Sequence, residues 1–423
     1  MHLNWRKYGS LFLAVIILWM LVIISAVAYA QSSIITGTKT HIHSRILGED
    51  REIWVHVPES NGPGSIFAPQ RYPVIYVLDG DDHFNAVVDI TNQLSKDGMN
   101  ALLPPMIVVG ILNTNRTRDL TPTHVAAVPM MDSMSAAHSG GGENFIAFLQ
   151  HELIPHIDSL YPAAPYRLFI GHSLGGLMAV HALINHTNLF NACIAIDPSM
   201  MWDNQHLLKQ AQAALAGKDF TGRALYLAMA NTMQNGMDTV TVQKATDFMN
   251  MHPRSILELG HALDAHPHNG LHYSWKYYPD YNHHTIPLVA AYDGLQSIFS
   301  FYKYELPFDT FFQPGYKNDS LLTAHYENVS RNMGYKVLPP EDLYNMLGYQ
   351  LMSSKQYDRA HYFFMQNINN YPRSFNTYDS MGDLYMAKGD KQAAKKYYLQ
   401  SLAVKETADT RKKVEQLNRE GVK

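Results

Sequence analysis

The chain of 423 residues contains one cysteine, Cys193, so it can form neither an intrachain disulfide nor a metal site built from several thiolates. It has no excess of basic residues, because 33 Lys and Arg stand against 37 Asp and Glu, and the net charge is −4. With this balance, no overall basic field favours binding to nucleic acid. With 46% hydrophobic and 17% charged residues, the composition excludes a disordered chain and indicates a globular protein with a sizeable core.

One long apolar run is present, at residues 11–27, and two basic residues precede it. Ala28-Tyr29-Ala30 follows with the small-x-small form of a signal peptidase site. Residues 1–30 therefore predict a cleaved export signal and a protein of the bacterial periplasm or the extracellular space. The alternative is an uncleaved membrane anchor, because the run approaches the length that spans a bilayer. The protein would contact a membrane only in that case.

Apolar segments of strand length alternate with amphipathic helical segments over residues 31–304. Several predicted strands are continuous apolar runs, which is typical of parallel strands buried on both faces. The pattern predicts an α/β domain over residues 31–304 whose sheet is flanked by helices. The predicted strands are 53–57, 74–78, 106–111, 167–170, 192–196, 224–228 and 273–278, and the predicted helices are 84–94, 143–160, 174–184, 239–251 and 288–301.

The strand pattern ends near residue 304, and the proline-containing residues 305–340 predict a linker with one helix over 320–333. Residues 341–423 repeat with a period of 34 residues, which resembles a tetratricopeptide repeat. Because two copies rarely stand alone, we expect this small all-α region to pack on the preceding domain. A groove for a protein partner is the alternative. The recurring pairs are Tyr344 and Tyr378, Gly348 and Gly382, Ala360 and Ala394, and Phe364 and Tyr398.

A nucleophile motif lies in the α/β region. Gly171-His172-Ser173-Leu174-Gly175 matches the Gly-x-Ser-x-Gly nucleophile elbow and joins predicted strand 167–170 to predicted helix 174–184. A sharp strand-to-helix turn exposes the serine, and the flanking glycines remove Cβ clashes. We expect Ser173 to be a nucleophile that forms an acyl intermediate. The N–H of Leu174, at the helix N-terminus, is a candidate donor to the oxyanion.

The partners of this serine should follow it in the order acid and then histidine. The histidine should follow the last strand, where the residues alone do not separate His283 from His284. For the acid, Asp238 is the carboxylate in the loop after predicted strand 224–228. It would hold the histidine tautomer, although it could instead cap a helix beginning near Thr239. The alternatives are Asp203, Asp247, Asp280 or a Ser–His dyad without an acid.

Two further groups of residues are candidates for binding. The turn at Gly80 and Asp81 follows a predicted strand, and the N–H of one of them would be the second oxyanion donor. Arg116 and Arg118 could bind an anionic substrate through charge-assisted hydrogen bonds. Equally, they could pair with Asp119 and fix their own loop.

Four segments of the chain resemble the putative-esterase family, which includes enterochelin esterases and esterase D-like hydrolases. The resemblance covers about residues 34–304 and implies an α/β-hydrolase fold and serine esterase activity. Aligning the family's histidine motif on Pro287 implies that His283 is the catalytic histidine. His284 then lies at a position where members of the family commonly have glycine. His172 and Trp202 lie in matching segments and are expected to contact the substrate. The segments are 73–80, 115–122, 169–176 and 197–203, the last beginning Asp197-Pro198-Ser199.

The leading hypothesis is a secreted serine esterase that acts on a small-molecule ester, of siderophore type or with a short acyl chain. An acyltransferase on the same fold and a noncatalytic envelope protein that binds through its helical repeats are the alternatives. We expect no cofactor. We also expect no metal, because the 22 histidines include no helix-spaced ligand set with a carboxylate.

Overall fold

The computed structural model describes residues 36–58, 65–96, 100–127 and 133–421. The predicted export segment, residues 1–30, lies outside them. The chain divides into a unit of residues 1–38 and a compact unit of residues 39–423. Of the first unit, residues 36–38 are described. Among the described residues, no helix combines the length and the apolar character needed to cross a membrane.

A sheet of eight strands forms the centre of the fold, in the order β1-β2-β4-β3-β5-β6-β7-β8. β2 pairs antiparallel with β4. The neighbouring strands β4, β3, β5, β6, β7 and β8 all pair parallel with one another, in this order across the sheet. Every residue of β3, β4 and β6 is buried, as expected for parallel strands covered on both faces. The strands are β1 Thr38–Ser44, β2 Glu49–His56, β3 Tyr72–Leu78, β4 Ile107–Ile111, β5 Ala163–His172, β6 Ala192–Ile196, β7 Arg223–Ala230 and β8 Leu271–Tyr278.

Helices flank this sheet, and an all-helical region follows it, so the predicted fold class is confirmed. The α-helices of the α/β part are α1 Gly80–Ser95, α2 Arg116–Asp119, α3 Ser133–Ala137, α4 Gly142–Phe148, α5 Ile154–Leu160, α6 Leu174–Asn185, α7 Trp202–Gly217, α8 Met251–Ala265 and α9 Ile286–Ile298. The remaining helices are α10 Phe308–Phe311, α11 Ser320–Met333, α12 Glu341–Ser353, α13 Tyr357–Asn370, α14 Phe375–Ala387, α15 Lys391–Val404 and α16 Ala408–Arg419.

Two helix predictions differ from the structure. The helix predicted over 143–160 is interrupted by a π-helical turn, Leu149–Leu153, before Pro155, whose missing N–H breaks the regular hydrogen-bond ladder. The helix predicted over 239–251 is wrong, because only the 3₁₀ turn Val242–Lys244 forms there and α8 begins at Met251. Hydrogen bonds from the local backbone to the Asp238 side chain compete with a helix in this loop.

Each face of the sheet supports its own apolar core. Along β3, Val74 and Tyr76 join one core with α6, α7 and α8. Ile75 and Val77 join the other core with α1 and α9. This alternation follows from the two-residue period of a strand. The carboxyl ends of the central strands are thereby held rigidly between two packed layers.

The helical region is joined to the α/β part by α11. Val329 and Met333 belong to the core shared with α1 and α9, whereas Leu322 and Tyr326 belong to a third core with α12, α13 and α14. The buried carboxylate of Glu341 also accepts the backbone N–H of Ala68 at 2.7 Å, across 273 residues of sequence. The helical region therefore packs on the α/β part.

The same contact occurs twice in the helical region, 34 residues apart. A Cβ atom added to Gly348 would lie 2.4 Å from the ring of Phe364, and one added to Gly382 would lie 2.4 Å from the ring of Tyr398. Each glycine therefore lets two neighbouring helices approach closely. The recurrence accounts for two of the residue pairs that repeat in the sequence.

The close approach at Gly382 predicts that Gly382→Ala destabilises the helical region. The added methyl group would meet the Tyr398 ring, and such overpacking costs about 1–3 kcal/mol. We therefore expect a lower melting temperature by calorimetry. Gly217→Ala is the matched control, because nothing lies within 4 Å of a Cβ at that helix end. An unchanged or raised melting temperature for Gly382→Ala would contradict the contact.

Candidate active site

Three neighbouring strands end in residues with left-handed backbone conformations. Asp79 follows β3 with φ 51°, Ser173 follows β5 with φ 61°, and Asp197 follows β6 with φ 41°. A non-glycine residue in this region costs about 1–3 kcal/mol, and such residues cluster at functional sites. The carboxyl edge of β3, β5 and β6 is therefore the candidate active site.

The turn that carries Ser173 is closely packed. A Cβ atom added to Gly171 would lie 2.1 Å from the carbonyl oxygen of Gly175, so no larger residue fits there. The Ser173 N–H donates to the Ile196 carbonyl at 3.0 Å, and the Ser199 N–H donates to the Ser173 carbonyl at 3.0 Å. These bonds attach the predicted nucleophile elbow to the turn after β6.

Asp197 is the carboxylate that contacts His283. Its fully buried side chain binds His283 Nδ1 at 2.5 Å and His252 Nε2 at 3.0 Å through the same oxygen, Oδ2. Its other oxygen accepts the Ala230 N–H at 2.8 Å. Burial opposes its ionisation, but the hydrogen bonds from His252 and His283 outweigh burial and hold the pKa of Asp197 well below its usual range. An ionised Asp197 thus orients the ring of His283.

The assignment of Asp238 as the acid is therefore corrected. Asp238 is exposed, and its Oδ1 accepts the N–H groups of Val240 and Thr241 at 3.0 and 2.7 Å, so it acts as a local cap. The residue that contacts His283 thus follows β6, one strand earlier than predicted. Asp197 could have been found, because it directly follows a correctly predicted strand. No sequence signal indicated His252, which the fold brings in from α8.

The Ser173 hydroxyl forms a contact with a second serine. Among the described residues, its hydrogen-bond partner is Ser199 Oγ, at 3.3 Å. The ring of His172 lies 4.5 Å, centroid to centroid, from the ring of His283. Because either hydroxyl can be the donor in the serine pair, Ser173 can accept from Ser199 and direct its own proton toward His283. Such contacts often form only when the substrate is bound.

The predicted oxyanion donors lie at the same edge of the sheet. Leu174 is the first residue of α6, and Gly80 and Asp81 are the first two residues of α1. The N–H groups of a first helical turn have no partner within the helix. A Cβ atom added to Gly175 would lie 3.4 Å from Asp79 Oδ2, so the two helix starts are adjacent.

Arg116 and Arg118 are engaged in ion pairs within the protein. Arg116 binds Asp79 with two hydrogen bonds, Nε to Oδ1 at 2.7 Å and a terminal nitrogen to Oδ2 at 2.9 Å. Arg118 binds Asp119 at 2.7 Å and Glu49 at 2.7 Å. The structure thus favours the loop-fixing alternative for Arg118 over substrate binding. Arg116 likewise fixes the turn that precedes α1.

The two remaining substrate-binding candidates differ in accessibility. The side chain of Trp202 is buried, with 5% of the residue exposed, and its indole N–H donates to the Thr123 carbonyl at 3.1 Å. Its assignment to substrate binding is therefore corrected. His172 instead lines a cavity of about 310 Å³ together with His83 and His284. This cavity adjoins the candidate active site.

Part of the sequence matches a known protein family. Residues 44–252 match the family described as putative esterase. The ferri-bacillibactin esterase of Bacillus subtilis is 30% identical over 186 residues, which cover 42% of this chain and 63% of that protein. The siderophore enterobactin esterase of Emericella nidulans is 24% identical, over 34% of this chain and 51% of that protein. The chain thus spans between half and two thirds of the length of these two relatives.

Solved structures agree with the fold. An IroE-like serine hydrolase from Shewanella oneidensis is 28% identical with a TM-score of 0.65, covering 79% of this chain and 99% of that one. A siderophore hydrolase from Aspergillus nidulans is 21% identical with a TM-score of 0.50, covering 66% of this chain and 98% of that one. The second likeness concerns the fold alone.

The position of His172 predicts a pH dependence of stability. Burial, and then the charge of His283, lower the pKa of His172 to about 3. The unfolded chain takes up this proton near pH 6.5, whereas the folded chain does not. The contribution of His172 to the free energy of unfolding should therefore be complete above pH 6.5. It should fall below that pH by up to about 1.4 kcal/mol per pH unit.

Denaturant unfolding of the wild type and of His172→Gln at pH 7, 6 and 5 measures this contribution. We expect the stability of the wild type relative to the variant to decrease as the pH is lowered. Histidine NMR shifts provide a second readout, in which the His172 ring remains neutral at pH 5. A stability difference that does not change with pH would contradict the prediction.

Proposed function

Because residues 44–252 match the family described as putative esterase, we propose that the chain is a serine hydrolase that cleaves a carboxylic ester. The observation that carries the proposal is the strained Ser173 elbow beside the Asp197–His283 pair. A serine on such a turn, next to a histidine oriented by a buried carboxylate, is the arrangement that activates a hydroxyl for acyl transfer. The ester is a small molecule.

In the proposed reaction, Ser173 Oγ attacks the ester carbonyl carbon while Nε2 of His283 takes the hydroxyl proton. His283 then gives this proton to the leaving alcohol as the C–O bond breaks, and an acyl-Ser173 intermediate remains. A water molecule attacks the acyl group, with His283 again as the base, and releases the acid. Asp197 keeps Nδ1 of His283 protonated and stabilises the imidazolium form.

The oxyanion that forms on the substrate needs hydrogen-bond donors. We assign this role to the N–H of Leu174 and to that of Gly80 or Asp81. The adjacency of the two helix starts supports this assignment, because both sets of free N–H groups face one edge of the sheet. The ion pair between Asp79 and Arg116 would hold the second donor loop in place.

The substrate class we propose is an ester of siderophore type, with a short-chain acyl ester as the simpler alternative. The ferri-bacillibactin esterase and the siderophore enterobactin esterase among the relatives support this class. The cavity that His83, His172 and His284 line would receive one part of the ester. Comparing kcat/KM for a ferric siderophore ester and for p-nitrophenyl acetate tests the class. A marked preference for the small acetate would favour the alternative.

We also propose that residues 1–30 are an export signal, that residues 31–304 are the catalytic domain, and that residues 305–340 connect it to a tetratricopeptide-like region over residues 341–423. The recurring contacts of Gly348 and Gly382 support the repeat assignment. N-terminal sequencing of the exported protein tests the signal. A mature N-terminus at Gln31 is the expected result.

A fluorophosphonate probe tests the nucleophile. We expect the probe to label Ser173, as located by mass spectrometry, and expect labelling to disappear in Ser173→Ala. His283→Ala should react about 10²-fold more slowly, because general-base catalysis contributes at least that much. If the folded wild type remains unlabelled, the esterase proposal loses its basis and a noncatalytic binding role becomes the next hypothesis.

The identity of the acid is tested by a matched pair of variants. Asp197→Asn should lower kcat by about 10⁴-fold, the loss expected when the carboxylate that orients the histidine of a triad is neutralised. Asp238→Asn should retain the wild-type rate, because Asp238 only caps a local turn. Circular dichroism confirms that both variants fold. The opposite ranking of the two variants would restore Asp238 as the acid.

A further inference from the structure

A second group of polar side chains lies at the other end of α6 from Ser173. His181 is on the last turns of α6, His186 caps its C-terminus, and Glu143 is on the first turn of α4. With a rise of about 1.5 Å per residue, α6 carries His186 roughly 18 Å beyond its first residue. This group therefore takes no part in the proposed chemistry at Ser173.

The three side chains converge on a small volume. Nε2 of His181 lies 2.8 Å from Oε1 of Glu143, and Nε2 of His186 lies 3.1 Å from Oε2 of the same carboxylate. The two imidazole rings are 5.4 Å apart, centroid to centroid. One ligand atom from each of the three residues lies within 4.8 Å of the other two. A single ion could contact all three residues.

We propose that Glu143, His181 and His186 bind one divalent transition-metal ion, with Zn²⁺ as the best match. Two imidazole nitrogens and one carboxylate are a common ligand set for zinc, whereas Ca²⁺ and Mg²⁺ prefer oxygen ligands alone. Tetrahedral bonds of about 2.0–2.2 Å place ligand atoms roughly 3.4 Å apart. The two carboxylate–imidazole contacts, at 2.8 and 3.1 Å, would therefore lengthen by roughly half an ångström or less when an ion binds.

The surroundings of the ligands fit this role. The His181 side chain is 4% exposed, so its ring is held in place by the surrounding protein. Glu143 is 60% exposed, so an ion can enter and keep a water molecule in the fourth position. The Asn185 amide lies 3.1 Å from Nδ1 of His181. Rotating that amide by 180° would let its oxygen accept the Nδ1 proton when Nε2 binds metal.

The ion would link α4 to the end of α6, so its expected effect is on stability. No sequence pattern indicates this group, because Glu143 lies 38 residues before His181 and the two histidines are not at a four-residue spacing. Their convergence depends on the position of His186, where the chain leaves the helix with φ −126° and ψ 48°.

Metal titration of the full chain tests the proposal. We expect one Zn²⁺ per chain in competition with a chromophoric chelator, a rise in melting temperature, and intense tetrahedral absorption bands when Co²⁺ is used. Glu143→Gln and His186→Ala should each weaken binding at least tenfold and abolish the rise in melting temperature. Both side chains are partly exposed, so the metal-free variants should melt close to the metal-free wild type.

Two control variants separate this site from other histidines. His206→Ala should bind metal normally, although His206 reaches the neighbourhood of the cluster through Gln210. His252→Ala removes a ligand of the second metal-capable group, Asp197 with His252 and His283, and should leave the affinity unchanged. Affinity lost in His252→Ala but retained in Glu143→Gln would overturn the proposal, as would a wild type that binds no Zn²⁺ or Co²⁺.

Discussion

The parallel pairing of β5 with β6 is the constraint on which the candidate active site depends. In this register Gly171 lies opposite Ala195 and His172 lies opposite Ile196, so the two strands end side by side. Ser173 and Asp197 are the next residues of each strand. The hydrogen bond from the Ser173 N–H to the Ile196 carbonyl then fixes one turn against the other. A register shift of one residue would reverse which face each of these side chains occupies.

Several features at this edge of the sheet raise the free energy of the folded state, and the surrounding structure must offset their cost. Three left-handed residues together cost several kcal/mol by the usual range for such conformations. Two of them, Asp79 and Asp197, are also buried carboxylates, and each is stabilised by charged or polar partners. The ion pair with Arg116 and the two histidines on Asp197 therefore have a structural purpose as well as a chemical one. The two apolar cores keep these partners in place.

Much of the fold could be predicted from the sequence, because buried parallel strands appear as apolar runs. All seven predicted strands are present, and the Ser173 motif lies at a strand–helix junction as expected. The edge strand β1 was missed, because its exposed, polar residues carry no apolar run. The side-chain partners were harder to predict, since they depend on which loops meet at the sheet edge.

Three residues show why the side-chain contacts of the site could not be predicted from the sequence. Asp238 has the right position along the chain for an acid, but its loop folds on itself before it can reach His283. Trp202 lies in a segment that resembles the family, yet it points into the core. His252 contacts Asp197 from 55 residues away in sequence. Contacts over such distances arise from helix packing, which local patterns do not record.

The helix α11 has a consequence for how the chain can be divided. Because Val329 and Met333 complete one core while Leu322 and Tyr326 complete another, no cut on either side of α11 separates two self-sufficient halves. A chain ending before α11 would open the core of the α/β part to water. A helical fragment beginning after it would lose two apolar anchors. The helix α11 is thus a structural element of both parts, and neither part has its complete core without it.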